Sequence, residues 1–123
     1  MNSYSVAERI NREVNESVQY KTDLEQYSKP EHWVEAGTIG DCEDYALLKR
    51  QVLLKNGFAR KDLHLALCWD ETNTYHCVLL CNTSKGWFVL DNRYTWPMSP
   101  KSLPYSWDKA LDEVDGKWYE LSF

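Results

Sequence analysis

The sequence predicts an α+β fold in which helices pack against one antiparallel sheet. Residues 5–19 and the residues after Asp41 have the spacing of amphipathic helices, and both segments lie in the N-terminal half. Residues 63–69, 75–81 and 86–91 are rich in strand-forming side chains and come later. Because the helices precede the strands instead of alternating with them, we expect the helices to be segregated on an antiparallel sheet.

The size and composition of the chain indicate one small domain. With 123 residues it can form one hydrophobic core but not two, so residues 1–123 are expected to be a single domain. The net charge of −5 argues against a nucleic-acid partner. No apolar stretch is long enough to span a bilayer, and the first ten residues lack the basic and apolar regions of a secretion signal. The chain is therefore expected to be cytoplasmic as made, or periplasmic if a signal was trimmed.

The first helix is predicted from apolar side chains that recur every four residues, at Val6, Ile10, Val14 and Val18. This spacing predicts an amphipathic helix over residues 5–19, with Asn11 and Asn15 off the apolar stripe. Residues 23–36 are predicted to form a short helix or loop that leads into a glycine-bounded turn.

The second helix carries the residue that suggests chemistry. Residues 40–46 read Gly-Asp-Cys-Glu-Asp-Tyr-Ala, with Asp41 as the predicted N-cap, and Asn56-Gly57 stops the helix. Cys42 then lies where the unpaired N–H groups and the positive end of the helix dipole favour a thiolate. The sequence thus predicts a cysteine nucleophile at the start of this helix.

A β-hairpin is predicted to bring two partners for this cysteine together. Residues 82–85 are turn material between two strands, and pairing Cys81 with Gly86 places His76 opposite Asp91. Opposed side chains in an antiparallel pair have Cβ atoms roughly 4.5–5.5 Å apart, close enough for an imidazole N–H to bond a carboxylate.

The remaining chain adds strands and a loop. Residues 63–69 are predicted to be the first strand, and residues 117–123 an edge strand that closes the sheet. Prolines between residues 97 and 104 indicate a loop that lines the cleft. Residues 107–114 have helical spacing, so a helix or a turn is expected there.

These residues together resemble the bacterial transglutaminase-like cysteine proteinases, a family that includes periplasmic LapG-type proteases. The resemblance rests on the 40–46 motif followed by a lysine-bearing helix, the strand histidine, the run Val-Leu-Asp-Asn, and the upstream pattern of Asn11, Asn15, Tyr20, Asp23 and Trp33-Val34-Glu35. It implies a papain-like or transglutaminase-like fold, a protein or peptide substrate and no organic cofactor. It also implies a triad of Cys42 as nucleophile, His76 as base and Asp91 as the residue that orients the imidazole.

The same resemblance implies calcium at Asp41 and Glu43. Both flank Cys42, and with Asp44 they put three carboxylates beside a thiol that must ionise, which disfavours the thiolate. A bound divalent cation would offset that repulsion, and calcium prefers oxygen ligands. The alternative is that these carboxylates only cap the helix and complement its dipole.

Other interpretations of the cysteines and of the function stay open. Cys68, Cys77 and Cys81 are expected to be buried and reduced, since neither a disulfide framework nor a zinc site with His76 fits strand geometry and chain length. His32 and His64 are expected to be ordinary surface or edge residues. Besides a cysteine peptidase, a transglutaminase or amidase that transfers the acyl group to an amine and a non-catalytic binding module are alternatives.

Overall fold

The computed structural model describes residues 2–28, 39–112, 114–121 and 123, with the backbone alone for residues 17–28 and 39–41. Within these ranges the chain forms two α-helices and one five-stranded sheet. The elements are α1 (Tyr4–Ser28), α2 (Ile39–Lys55), β1 (Leu63–Trp69), β2 (Tyr75–Thr83), β3 (Gly86–Leu90), β4 (Ser106–Asp112) and β5 (Lys117–Glu120). The strand order is β3-β2-β1-β4-β5, and every neighbouring pair is antiparallel. The predicted α+β fold is therefore confirmed.

The main core lies between the helices and one face of the sheet. Its fully or almost fully buried members come from α1, α2 and the central strands, and include Ala7, Ile10, Ala46, Leu53, Leu63, Leu79, Cys81 and Leu90. The helices supply these side chains at intervals of three and seven residues, the spacing that turns one helical face towards a core. This packing fixes α2 against β2 and so places the start of the helix beside the strand that carries His76.

The other face of the sheet is covered as well. Ala66, Val78 and Val89 pack there against Leu103 and Tyr105, which belong to the irregular segment between β3 and β4. A strand buried on both faces reads as a nearly continuous apolar run, which is how residues 77–81 read in the sequence. The proline-bounded segment is thus a second packing layer of the sheet.

The helix predictions need two corrections. Helix α1 continues to Ser28, nine residues beyond the predicted end, and Asn11 and Asn15 are buried, although the prediction placed them off the core stripe. Helix α2 begins at Ile39, so Asp41 lies inside its first turn and is not its N-cap. Predicted features between residues 29 and 38 lie outside the described residues.

The hairpin forms, but its register differs from the prediction. Strand β2 extends to Thr83, the turn contains only two residues, and Thr83 pairs with Gly86 in place of Cys81. Gly86 has a φ of 106°, a conformation that glycine adopts at no steric cost, and this allows the tighter turn. The shift is two residues, and because side chains alternate with a period of two it leaves each side chain on its predicted face.

The segment after the proline-bounded loop is a strand and not the predicted helix or turn. Residues 106–112 form β4, which pairs with β1 on one side and β5 on the other. The apolar residues of this segment fit a helix and a strand equally well. It forms a strand because the edge of β1 that is not paired with β2 can hydrogen-bond to it. The first strand is confirmed at Leu63–Trp69, and β5 is the predicted edge strand. In the described ranges, no helix is both long enough and apolar enough to cross a membrane.

Candidate active site

The first turn of α2 places Cys42 beside the second strand of the sheet. Its side chain is half-buried, and its Sγ lies 2.8 Å from Nδ1 of His76. His76 is only 4 % exposed, so the imidazole makes its hydrogen bonds to protein groups and not to water. A thiol and an imidazole at this distance can exchange a proton directly.

Asp91 follows the end of β3 and is completely buried. Its Oδ1 lies 2.8 Å from Nε2 of His76, which gives the side-chain hydrogen bond that the sequence predicts. Asp91 is not directly opposite His76, because β3 has ended and the register is two residues off, yet both side chains keep the same face. A carboxylate only accepts hydrogen bonds, so Nε2 carries a proton and the neutral ring presents Nδ1 as the acceptor for the Cys42 thiol.

The contacts of His76 and Asp91 shift the pKa of each group. Burial by itself would lower the pKa of His76, but hydrogen bonds to Asp91 and Cys42 outweigh it and raise that pKa to about 9. For Asp91, burial acts to raise the pKa, while the hydrogen bonds from His76, Tyr105 and the Arg93 backbone lower it below its usual value. These contacts therefore stabilise the imidazolium that forms when Nδ1 takes the Cys42 proton.

Two residues that sequence reasoning missed complete the shell of Asp91. The Tyr105 hydroxyl donates to Oδ2 at 2.5 Å, and the backbone N–H of Arg93 donates to Oδ1 at 3.0 Å. Arg93 lies two residues after Asp91, a spacing typical of an Asx turn, so the sequence held a signal for it. Tyr105 comes from an irregular segment 14 residues away, and no periodicity links it to Asp91.

Helix α1 holds the backbone that follows Asp91. The Asn15 side-chain amide donates to the carbonyl oxygens of Asp91 and Tyr94, each at 3.0 Å. The Asn11 amide donates to the carbonyls of Tyr94 and Thr95, each at 3.1 Å. These two asparagines belong to the upstream pattern of the resemblance, and their contacts show that they anchor the loop that follows Asp91.

Helix α2 also buries a lysine two turns after Cys42. Lys49 is 0 % exposed, and its Nζ has no hydrogen-bond partner within the part of the chain that the structure describes. Burial lowers the pKa of Lys49 to about 7, although the nearby Asp91 carboxylate acts to raise it. The ammonium also lies 5.9 Å from the centre of the Tyr45 ring.

The predicted calcium ligands are only partly described. Glu43 and Asp44 are exposed on α2 just after Cys42, while the side chain of Asp41 lies outside the described residues. Among the described side chains, no group of three or more His, Cys, Asp or Glu could hold a metal.

The other cysteines and histidines behave as structural residues. Cys68, Cys77 and Cys81 are buried and free, as predicted, and burial raises the pKa of each thiol, to about 12 for Cys77 and Cys81. The His64 ring is 3.1 Å from the Leu111 carbonyl oxygen, and His32 lies outside the described residues.

A cysteine at a helix start, linked through histidine to aspartate on an antiparallel sheet, is the arrangement of papain-like and transglutaminase-like thiol enzymes. The sequence agrees, because residues 2–122 match the family described as bacterial transglutaminase-like cysteine proteinase. The chain belongs to this family.

Solved structures of Legionella pneumophila LapG share the fold. The calcium-bound LapG structure is 20 % identical with a TM-score of 0.58, and the match covers 65 % of this chain and 45 % of LapG. The EGTA-treated LapG structure has the same identity and TM-score, with 68 % and 46 % covered. The chain thus spans less than half the length of the LapG chains it matches. No curated protein is significantly similar in sequence.

Proposed function

We propose that the protein hydrolyses peptide bonds through a thioester on Cys42, with residues 1–123 acting as a single domain. The observation that carries this proposal is the continuous chain of hydrogen bonds from Cys42 Sγ through the His76 ring to Asp91, with both distances at 2.8 Å. Membership of the proteinase family supports it independently.

In the proposed mechanism each group of the triad has its own step. His76 Nδ1 takes the thiol proton, and the Cys42 thiolate attacks the peptide carbonyl carbon to form a tetrahedral intermediate. The imidazolium then gives its Nδ1 proton to the leaving amine, and a thioester remains. Water then attacks the thioester carbonyl carbon while Nδ1 takes a proton from it. The Cys42 thiolate leaves, and the N-terminal fragment of the substrate is released with a new carboxyl group. Asp91 keeps Nε2 protonated throughout, so Nδ1 stays available for each transfer.

The proposal predicts that Cys42 is by far the most reactive thiol. Iodoacetamide near pH 7.5 should alkylate Cys42 faster than Cys68, Cys77 or Cys81 by more than about a hundredfold, since the other thiols are buried and their raised pKa values leave little thiolate. Mass mapping of the folded protein after timed labelling measures each rate.

Two variants sharpen this test. Cys42→Ser should lose the fast labelling phase entirely, and Cys81→Ser should leave it unchanged, because Cys81 lies at the far end of β2 from His76. Faster labelling of any other cysteine in the folded wild type would show that Cys42 is not the nucleophile.

We further propose that calcium binds at the start of α2 with Asp41 and Glu43 as ligands. Support comes from the family membership, from the exposed carboxylates of Glu43 and Asp44, and from the LapG structure that is described as calcium-bound. A cation here would reduce the repulsion between these carboxylates and an ionised Cys42.

Calcium is accordingly expected to raise the melting temperature. A ligand that binds only the folded state contributes about 2.7 kcal/mol at a hundredfold excess over its Kd. Magnesium should give a smaller shift because it needs a tighter octahedral shell and releases water reluctantly. Scanning calorimetry at millimolar calcium and magnesium measures both effects.

The matched variants are Glu43→Gln, which should abolish the calcium shift, and Glu120→Gln, an exposed carboxylate on β5 that should not affect it. If the wild type shows neither binding nor a melting shift, the acidic residues of α2 serve only its dipole, and calcium is not a ligand of this chain.

A further inference from the structure

Both oxygens of the Asp91 carboxylate are fixed by protein donors. Oδ1 receives His76 Nε2 and the Arg93 backbone N–H, and Oδ2 receives the Tyr105 hydroxyl at 2.5 Å. The carboxylate is fully buried, so water does not compete for these positions. Rotation of the carboxylate would break all three bonds at once.

The Tyr105 ring is itself held in place. It is 8 % exposed and meets the His76 ring edge-on at 5.7 Å between centroids, with Trp107 at 5.9 Å on another side. Tyr105 therefore contacts two members of the triad, Asp91 through its hydroxyl and His76 through its ring.

Arg93 fixes the direction of the Tyr105 hydroxyl proton. Its Nη1 donates to the phenolic oxygen at 3.3 Å, so that oxygen accepts from Arg93 while its own O–H points to Asp91. The guanidinium is tied to the turn between β1 and β2 by Glu71, at 2.6 Å, and Asp70, at 3.6 Å. The connected groups thus run from an exposed turn through Arg93 and Tyr105 to the buried Asp91.

We propose that Tyr105 is a positioning residue for the triad, and that Arg93 acts on the triad through Tyr105. This inference deepens the proposed peptidase function and rests on it for its catalytic meaning. The Tyr105 hydroxyl holds Asp91 Oδ2, so that Asp91 Oδ1 stays directed at His76 Nε2 and His76 Nδ1 stays directed at Cys42. Arg93 orients the Tyr105 hydroxyl by donating to its oxygen.

The test uses Tyr105→Phe, which removes the hydroxyl and keeps the ring against His76. Alkylation of Cys42 by iodoacetamide at one fixed pH should slow by roughly tenfold, the effect expected from losing one hydrogen bond to a charged group. The proton NMR resonance of His76 Nε2–H, which is shifted downfield by a carboxylate partner, should move upfield and exchange faster with water. A role in packing alone would leave that resonance in place.

Tyr75→Phe is the matched control. Its hydroxyl also donates to a carboxylate, that of Asp108, and neither group contacts Asp91. This variant should leave the Cys42 labelling rate and the His76 resonance unchanged.

A double-variant cycle tests the part of Arg93. Arg93→Met alone should slow labelling and shift the resonance in the same direction as Tyr105→Phe. In the Tyr105→Phe background it should add almost nothing, because residues that act through one contact are not additive. Additive effects would overturn the statement that Arg93 acts through Tyr105.

The outcomes separate the two proposals. If wild-type Cys42 is no more reactive than the buried cysteines, the peptidase proposal fails, while the His76 resonance still reports on Tyr105. If wild-type Cys42 is reactive and Tyr105→Phe changes neither the rate nor the resonance, the positioning role is wrong. Should Tyr105→Phe not fold, Arg93→Met supplies the same two measurements with the ring intact.

Discussion

Replacing Asp91 by asparagine is expected to slow peptide hydrolysis by about 10⁴-fold while most of the fold is retained, an effect of the size seen when a triad aspartate becomes an amide. A neutral amide has no negative charge to stabilise the His76 imidazolium, and its oxygen is a weaker acceptor than a carboxylate for the Nε2–H. The tautomer and orientation of the ring are then less firmly held, and Nδ1 accepts the Cys42 proton less readily. The loss should therefore fall on kcat, with little change in KM.

Steady-state cleavage of a peptide substrate and circular dichroism of the same samples measure activity and folding side by side. Asp108→Asn is the matched control, since Asp108 also accepts a tyrosine hydroxyl but lies outside the triad. An Asp91→Asn variant that keeps near-normal kcat would remove Asp91 from the mechanism. Equal loss of activity and helicity would show that its role is to stabilise the fold.

Replacing Lys49 by methionine is expected to stabilise the folded protein by roughly 1–4 kcal/mol at pH 6. Methionine has a similar volume and carries no charge, and Asp91 would keep His76, Tyr105 and the Arg93 N–H as partners. The lysine is completely buried, so its ammonium must lose its hydration when the chain folds.

The desolvation of Lys49 also determines how the stability gained by Lys49→Met depends on pH. The pKa of Lys49 is about 7 in the folded state, against 10.5 for the ordinary group. Between these values the unfolded chain binds the proton and the folded protein does not, so wild-type stability rises with pH in this window. The advantage of Lys49→Met should thus be largest below pH 7 and shrink towards pH 10.

Urea unfolding at pH 6 and pH 9 measures the free energy of unfolding of both proteins. Lys55→Met, an exposed lysine on the last turn of the same helix, should change stability little at either pH. Lower stability of Lys49→Met at pH 6 would mean that the ammonium has a favourable partner worth more than its desolvation.

The spacing of side chains along the sequence was enough to predict those parts of the site that lie on helices and strands. The face shared by His76 and Asp91 follows from the period of two along strands, and a register error of two residues does not change it. The position of Cys42 in the first turn of a helix follows from the acidic residues around it and the apolar face after it. These features depend on residues close together in the sequence.

The features that were not predicted depend on contacts between distant segments. Strand β4 carries apolar residues at a spacing that also suits a helix, and the free edge of β1 selects the strand. Tyr105 reaches Asp91 only because the proline-bounded segment packs on the outer face of the sheet. The burial of Asn11 depends on carbonyl groups more than 80 residues away in the chain.

The contacts of Asn11 and Asn15 bear on how the chain can be shortened. A fragment that starts after residue 16 would retain Cys42, His76 and Asp91 and would look complete by its motifs. It would nevertheless leave the carbonyl groups of residues 91, 94 and 95 without the amide donors that they have in the intact protein. Proteolytic removal of residues 1–16 is therefore expected to disturb the loop after Asp91 without touching any residue of the proposed triad.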